Sequence, residues 1–263
     1  MTPRWNDRFP SRLGLSEPES RRAVRTLYRF ALEAEAASAA GETKRLEAWR
    51  AWLAGGGAGD SPERAPADAL AALRAAGLSP AGLEEIAAAW CEDSVRRGIA
   101  TLDQLEAHAR RTSGAMGRLA LQAAGLGDEE TLASAEALWT AVALTVLIQE
   151  TKAFVAAGRV YLPVELMSQH GYAEADLRMG VVNDRFRGAM KDLWKRVRAL
   201  YEESRGLPGR LRWPLSVEVR YGWSRGAALL ACISREGFDV LHARPALSRW
   251  ELPRLAAWSL FPV

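Results

Sequence analysis

Between Ala135 and Ile148 the chain runs AEALWTAVALTVLI, a stretch so apolar that water cannot be its main neighbour. It stops at Gln149-Glu150, short of the roughly 18 uninterrupted apolar residues that a membrane-spanning helix needs, and its length suits a buried helix. A buried helix must be covered by others, and the rest of the sequence supplies them. Alanine and leucine dominate and β-branched runs are scarce, which favours helix by intrinsic propensity. The expected fold class is therefore all-α.

Helices are expected over about Glu17–Ala39, with Ser16 as cap and Pro18 in the first turn, and over Thr43–Leu53. Others are expected at Pro66–Ala76, Pro80–Arg97, Thr101–Ala124 and, as one long element, Glu129–Ala157. An extended piece, Arg159–Pro163, follows Gly158. The C-terminal third holds Asn183–Ser204, Arg210–Glu236 (interrupted near Pro214) and a short helix after Ser248. The clearest break, Ala54–Asp60, is of loop length, so residues 1–263 read as a single domain.

Several functions are excluded at this level. Lysine and arginine number 35 against 32 carboxylates, a balance that gives no footprint for nucleic acid. Glycine-rich phosphate loops, H-E-x-x-H and G-x-S-x-G are absent, which removes common nucleotide, metalloprotease and serine-hydrolase chemistries. Cys91 and Cys232 suit a reducing compartment and read as small buried side chains. Met1–Asn6 lacks the order of a signal peptide. The expected location is cytoplasmic, with a peripheral membrane contact left open.

Four segments carry a resemblance. Gly158-Arg159-Val160-Tyr161-Leu162-Pro163, followed by Glu165-Leu166 and Gly171, is similar to the GRxYLP motif of the squalene/phytoene synthases. Thr112–Gly117 resembles that family's VAGxVG segment, with Ala100–Leu105 before it as an ATxxEL entry. Leu27-Tyr28-Arg29-Phe30 resembles LYxFC, and Gly237-Phe238-Asp239-Val240 with Arg244 resembles GYDVF…R. The resemblance spans roughly residues 5–255. It implies an isoprenoid synthase-type helical fold around a central apolar cavity, in which two carboxylate clusters bind Mg²⁺ and the diphosphate of a prenyl substrate.

Here the pattern departs from the family. The four aspartate positions fall on Glu35, Ala39, Glu150 and Phe154. The Asn and Arg before the second cluster become Val146 and Gln149, the Arg of the first motif becomes Leu32, and a Tyr becomes His108. Carboxylates four apart share a helix face, so each change removes half of a metal clamp. The resemblance makes Glu35 and Glu150 the surviving metal ligands, and His108 an acid or base. It also makes Tyr28, Lys152, Phe154, Arg159 and Tyr161 the substrate contacts. Read by themselves, Glu35 and Glu150 are equally ordinary helix carboxylates, Lys152 a solvated lysine, His108 a surface histidine and Asp93 a structural partner.

Two functions follow. One is a divergent prenyltransferase acting on or binding a prenyl diphosphate or related isoprenoid at an impaired Mg²⁺ site. The other is a non-catalytic descendant that serves as a lipid-binding, partner-binding or complex-assembly module, pairing with a protein partner or an active paralogue.

Overall fold

A computed structural model describes residues 18–260; the expected cap Ser16, the helix start Glu17 and the segment Met1–Asn6 lie outside them. Fourteen helices follow one another among these residues: α1 Pro18–Ala39, α2 Thr43–Ala54, α3 Arg64–Ala75, α4 Ala81–Ser94, α5 Leu102–Ala109, α6 Ala115–Ala123, α7 Glu129–Gln149, α8 Thr151–Ala156, α9 Val164–Gln169, α10 Glu174–Arg178, α11 Asp184–Glu203, α12 Leu207–Arg210, α13 Leu215–Arg235 and α14 Glu251–Ser259. A π-helical turn, Arg110–Gly114, joins α5 to α6. No strand occurs among the described residues, only an isolated bridge between Gly98 and Val160. The expected helical regions are found, but the single helix expected over Thr101–Ala124 is corrected to α5, the π turn and α6, and α9 and α10 fill a span for which no element was expected.

The apolar stretch forms the middle of the bundle. α7 is flanked by α6, the π turn, α11 and α13. Its best 18-residue window has a mean hydropathy of 1.7 and is 83% buried inside the protein. By length and composition it passes for a membrane span, but its apolar surface is consumed by neighbouring helices. Close approach is arranged by two glycines of the VAGxVG-like segment. A Cβ on Gly114 would sit 2.7 Å from Thr140 Oγ1, and one on Gly117 would sit 2.6 Å from the Trp139 ring. These motif glycines let the π turn and α6 lie against α7.

Helix starts follow side-chain chemistry. Thr101, Asp128 and Asn183 accept backbone N–H groups of Gln104, Thr131 and Phe186, capping α5, α7 and α11. The single long helix expected over Glu129–Ala157 is corrected to two, with a kink at Glu150 (φ −98°, ψ 13°). The kink is mild, since Glu150 N still donates to Val146 O and Phe154 N to Glu150 O. Its neighbours explain it: Thr151 Oγ1 back-bonds to the Ile148 carbonyl at 2.8 Å, and the Gln149 amide donates to the Pro245 carbonyl. The C-terminal segment thus grips the chain at the bend.

Candidate functional site

The GRxYLP-like motif builds a buried polar knot. Gly158 ends α8 at φ 77°, a left-handed position that glycine takes without a Cβ penalty. That turn sends Arg159 inward, where Nη1 donates to Asp93 Oδ2 at 2.8 Å and Nη2 donates to the Ser38 carbonyl. Tyr161 OH donates to the same carboxylate at 2.9 Å, and Ser38 Oγ donates at 3.0 Å. Asp93 itself is 0% exposed. α1, α4 and the 159–161 segment are therefore tied at one carboxylate. Arg159 and Tyr161, for which the resemblance implied substrate contact, both hold Asp93.

His108 belongs to the same knot. The expectation of a surface histidine is corrected: its side chain is buried, its ring meets Trp90 edge-on at 5.3 Å, and Nε2 lies 3.7 Å from Asp93 Oδ1. Burial pushes its pKa below the ordinary 6.5, and the nearby Asp93 charge offsets only part of that. Because the unfolded chain binds this proton more readily, the stability is complete above about pH 6.5 and drains as pH falls below it. We expect urea midpoints to drop between about pH 7 and pH 5, and His108→Gln to flatten that part of the profile. An unchanged profile in the variant would place the titration elsewhere.

The remaining candidates are scattered. Tyr28 is buried in α1, and its hydroxyl accepts the Trp139 Nε1–H at 2.7 Å; burial pushes its pKa up. Glu35 is buried on α1, one turn before Ser38. Lys152 is exposed on α8. Phe154 is buried, its ring packed edge-on against Tyr161 at 4.8 Å between centroids. The basic pair Arg110-Arg111 is held by carboxylates, Arg110 by Glu106 and Glu136, and Arg111 by Glu92.

A cleft of about 150 Å³ opens between α7 and α13. Val142, Thr145, Val146 and Gln149 form one wall, Gly222, Gly226 and Leu229 the other, and Ala246 and Leu247 the rim. Two arginines line it, Arg225 of α13 and Arg244 of the tail. Arg244 Nε donates to Glu150 Oε1 at 2.8 Å, and Nη2 binds the same oxygen. Val146, Gln149 and Arg244, three positions that the family resemblance singled out, therefore meet at one place. Arg225 was missed. No motif marks it in the sequence, and it joins the site only because α13 packs on α7.

The residues present do not fit a two-cluster magnesium site. A magnesium ion takes oxygen ligands in near-ideal octahedral geometry. Glu150 faces a guanidinium, Phe154 offers a ring, and Ala39 has no ligand atom. The described residues gather no group of three carboxylate, imidazole or thiolate side chains that could hold a metal. What the cleft offers is an apolar floor with two cations at its edge, an arrangement suited to an anionic head on a hydrocarbon chain.

An all-α bundle around α7 is the isoprenoid synthase fold of solved structures. A squalene synthase, HpnC from Alicyclobacillus acidocaldarius, matches with a TM-score of 0.72 at 22% identity, over 85% of this chain and 86% of that one. A dehydrosqualene synthase crystallised in complex with ligand matches at 0.77 and 16% identity, over 97% and 89%. The chain belongs to the squalene/phytoene synthase family, whose model matches residues 7–251. Among its relatives, the phytoene synthase of Thermus thermophilus is 30% identical over 168 residues, which is 62% of this chain and 57% of that protein. The 15-cis-phytoene synthase of Synechocystis sp. is 27% identical over 224 residues, or 76% and 66%. The chain thus spans less than two thirds of the length of these relatives.

Proposed function

We propose that the protein binds a prenyl diphosphate or a related anionic isoprenoid through arginines, without the metal-driven ionisation of its family. The observation that carries this reading is the Glu150–Arg244 ion pair at the edge of the α7–α13 cleft. A carboxylate turned to a guanidinium is not offered to a metal, whereas Arg225, which lines the same cleft, and Arg244 together supply positive charge for an anion. Membership of the squalene/phytoene synthase family supports the ligand class. At about 150 Å³ the cleft is smaller than the roughly 300–1,000 Å³ of ordinary ligand sites. It therefore suits one short or partly inserted chain better than the two that a head-to-head condensation joins. The reading is of a non-catalytic lipid-binding member.

Incubation with farnesyl or geranylgeranyl diphosphate and Mg²⁺ tests it. Pyrophosphate release is expected to stay at the protein-free rate. Sustained release that Glu35→Ala and Glu150→Ala abolish would overturn the reading and restore those residues as metal ligands.

A further inference from the structure

The C-terminal quarter of the chain is charged unlike the rest. Residues 205–263 hold nine arginines against four carboxylates, while the whole chain is nearly balanced at 35 to 32. Some of these arginines serve the fold: Arg210, Arg235 and Arg244 pair with Glu130, Glu251 and Glu150. Arg212, Arg249 and Arg254 are exposed. Beside them stand the most exposed large apolar side chains of this region, Trp213 at 80%, Trp250 at 72%, Trp258 at 64% and Leu260 at 63%.

These residues lie along α13, Trp250 toward its end at Arg235, and Trp213 with Leu260 toward its start. α14 packs against α13, with the Ser259 carbonyl accepting from Arg220 Nη1 at 3.2 Å. An open, mostly apolar groove, with Glu218 in its lining, runs between Trp213, Val217 and Tyr221 on one side and Ala257 and Leu260 on the other. Trp250, Arg254 and Trp258 are spaced four apart, so they rise along one side of α14. The Arg249 guanidinium lies 5.5 Å above the Trp250 ring. Indole rings bury in the interfacial layer of a bilayer, while arginines beside them reach anionic headgroups.

We propose that this α13–α14 region docks on an anionic lipid surface, with Trp213, Trp250 and Trp258 inserted and Arg212, Arg249 and Arg254 on the headgroups. The surplus of arginine selects this occupant. A second copy of the chain would bring the same positive region to meet it, whereas an anionic leaflet complements it. The assignment stands apart from what the α7–α13 cleft binds.

The full chain is tested by co-sedimentation with vesicles of phosphatidylcholine alone and of phosphatidylcholine mixed with phosphatidylglycerol. Binding is expected to the mixed vesicles, with a blue shift of tryptophan emission, and to fall at high salt. Each arginine near an anionic leaflet is worth about a fivefold gain in partition. Arg212→Gln/Arg249→Gln/Arg254→Gln is therefore expected to lose about a hundredfold. Trp213→Ala/Trp258→Ala is expected to bind at least about tenfold more weakly, with unchanged circular dichroism. Failure of the native chain to bind mixed vesicles would overturn the proposal. So would equal binding to both vesicle types, native-like binding by the variants, or a dimer in sedimentation velocity that Trp258→Ala dissolves.

Discussion

Arg159→Met is expected to lower the unfolding free energy by about 3–5 kcal/mol, because it leaves the wholly buried Asp93 carboxylate without its guanidinium. Tyr161 and Ser38 still donate to it, and Arg96 Nε stays 3.8 Å from its other oxygen, but these do not replace a guanidinium in direct hydrogen-bond contact. For a chain of this size the loss corresponds to roughly 6–20 °C in Tm. Asp93→Ala is expected to do similar damage from the other side, by leaving Arg159 buried and unmatched. Removing both charges together, as Asp93→Asn with Arg159→Met, is expected to cost less than the sum of the single changes. Urea unfolding of the four proteins checks this. A single-variant loss under about 1 kcal/mol, or plain additivity, would show that the knot is not a coupled unit.

The second large effect concerns the cleft. If Arg225 and Arg244 hold an anionic head, Arg244→Ala is expected to weaken binding of a non-hydrolysable prenyl diphosphate about tenfold. Arg225→Ala with Arg244→Ala is expected to weaken it about a hundredfold. Glu150→Gln is the more telling change, because the two roles for this residue predict opposite signs. As a metal ligand its loss weakens binding. As the partner of Arg244 its neutralisation frees the guanidinium, and binding tightens severalfold. Calorimetric titration of the native chain and these variants reads both signs directly.

The fold was legible because it depends on pattern. The run at Ala135–Ile148 had to be a buried helix, and the scarcity of β-branched stretches left only helices to cover it. The kink at Glu150 was not legible, since it depends on a tail about 95 residues further on that grips Gln149 and Glu150. For the site, the family resemblance implied that acids are missing at Ala39 and Phe154. It could not show that Arg159 and Tyr161 turn toward Asp93 rather than toward a ligand, because that partner lies 66 residues away from Arg159. His108 misled for a related reason. Its local neighbours are alanines and arginines, but its surroundings in space are Trp90 and Asp93.

The GRxYLP and VAGxVG-like motifs and the candidate binding site thus separate in space, while Arg244 of the fourth motif lines the cleft. GRxYLP and the VAGxVG-like glycines act in packing, one by tying α1 to α4 and the other by seating α6 on α7. The cleft lies on the other wall of α7, and its cations come from α13 and the tail. A chain can lose half of each aspartate pair and keep the architecture, because the residues that hold the helices together are different ones.

On the proposed function, an anionic isoprenoid is held here by arginines and not by magnesium. The most direct measurement is the affinity for a non-hydrolysable farnesyl diphosphate analogue, in the presence of Mg²⁺ and again with the metal removed by chelation. The same affinity is expected in both, within about twofold. An affinity at least about tenfold higher with Mg²⁺ would contradict it.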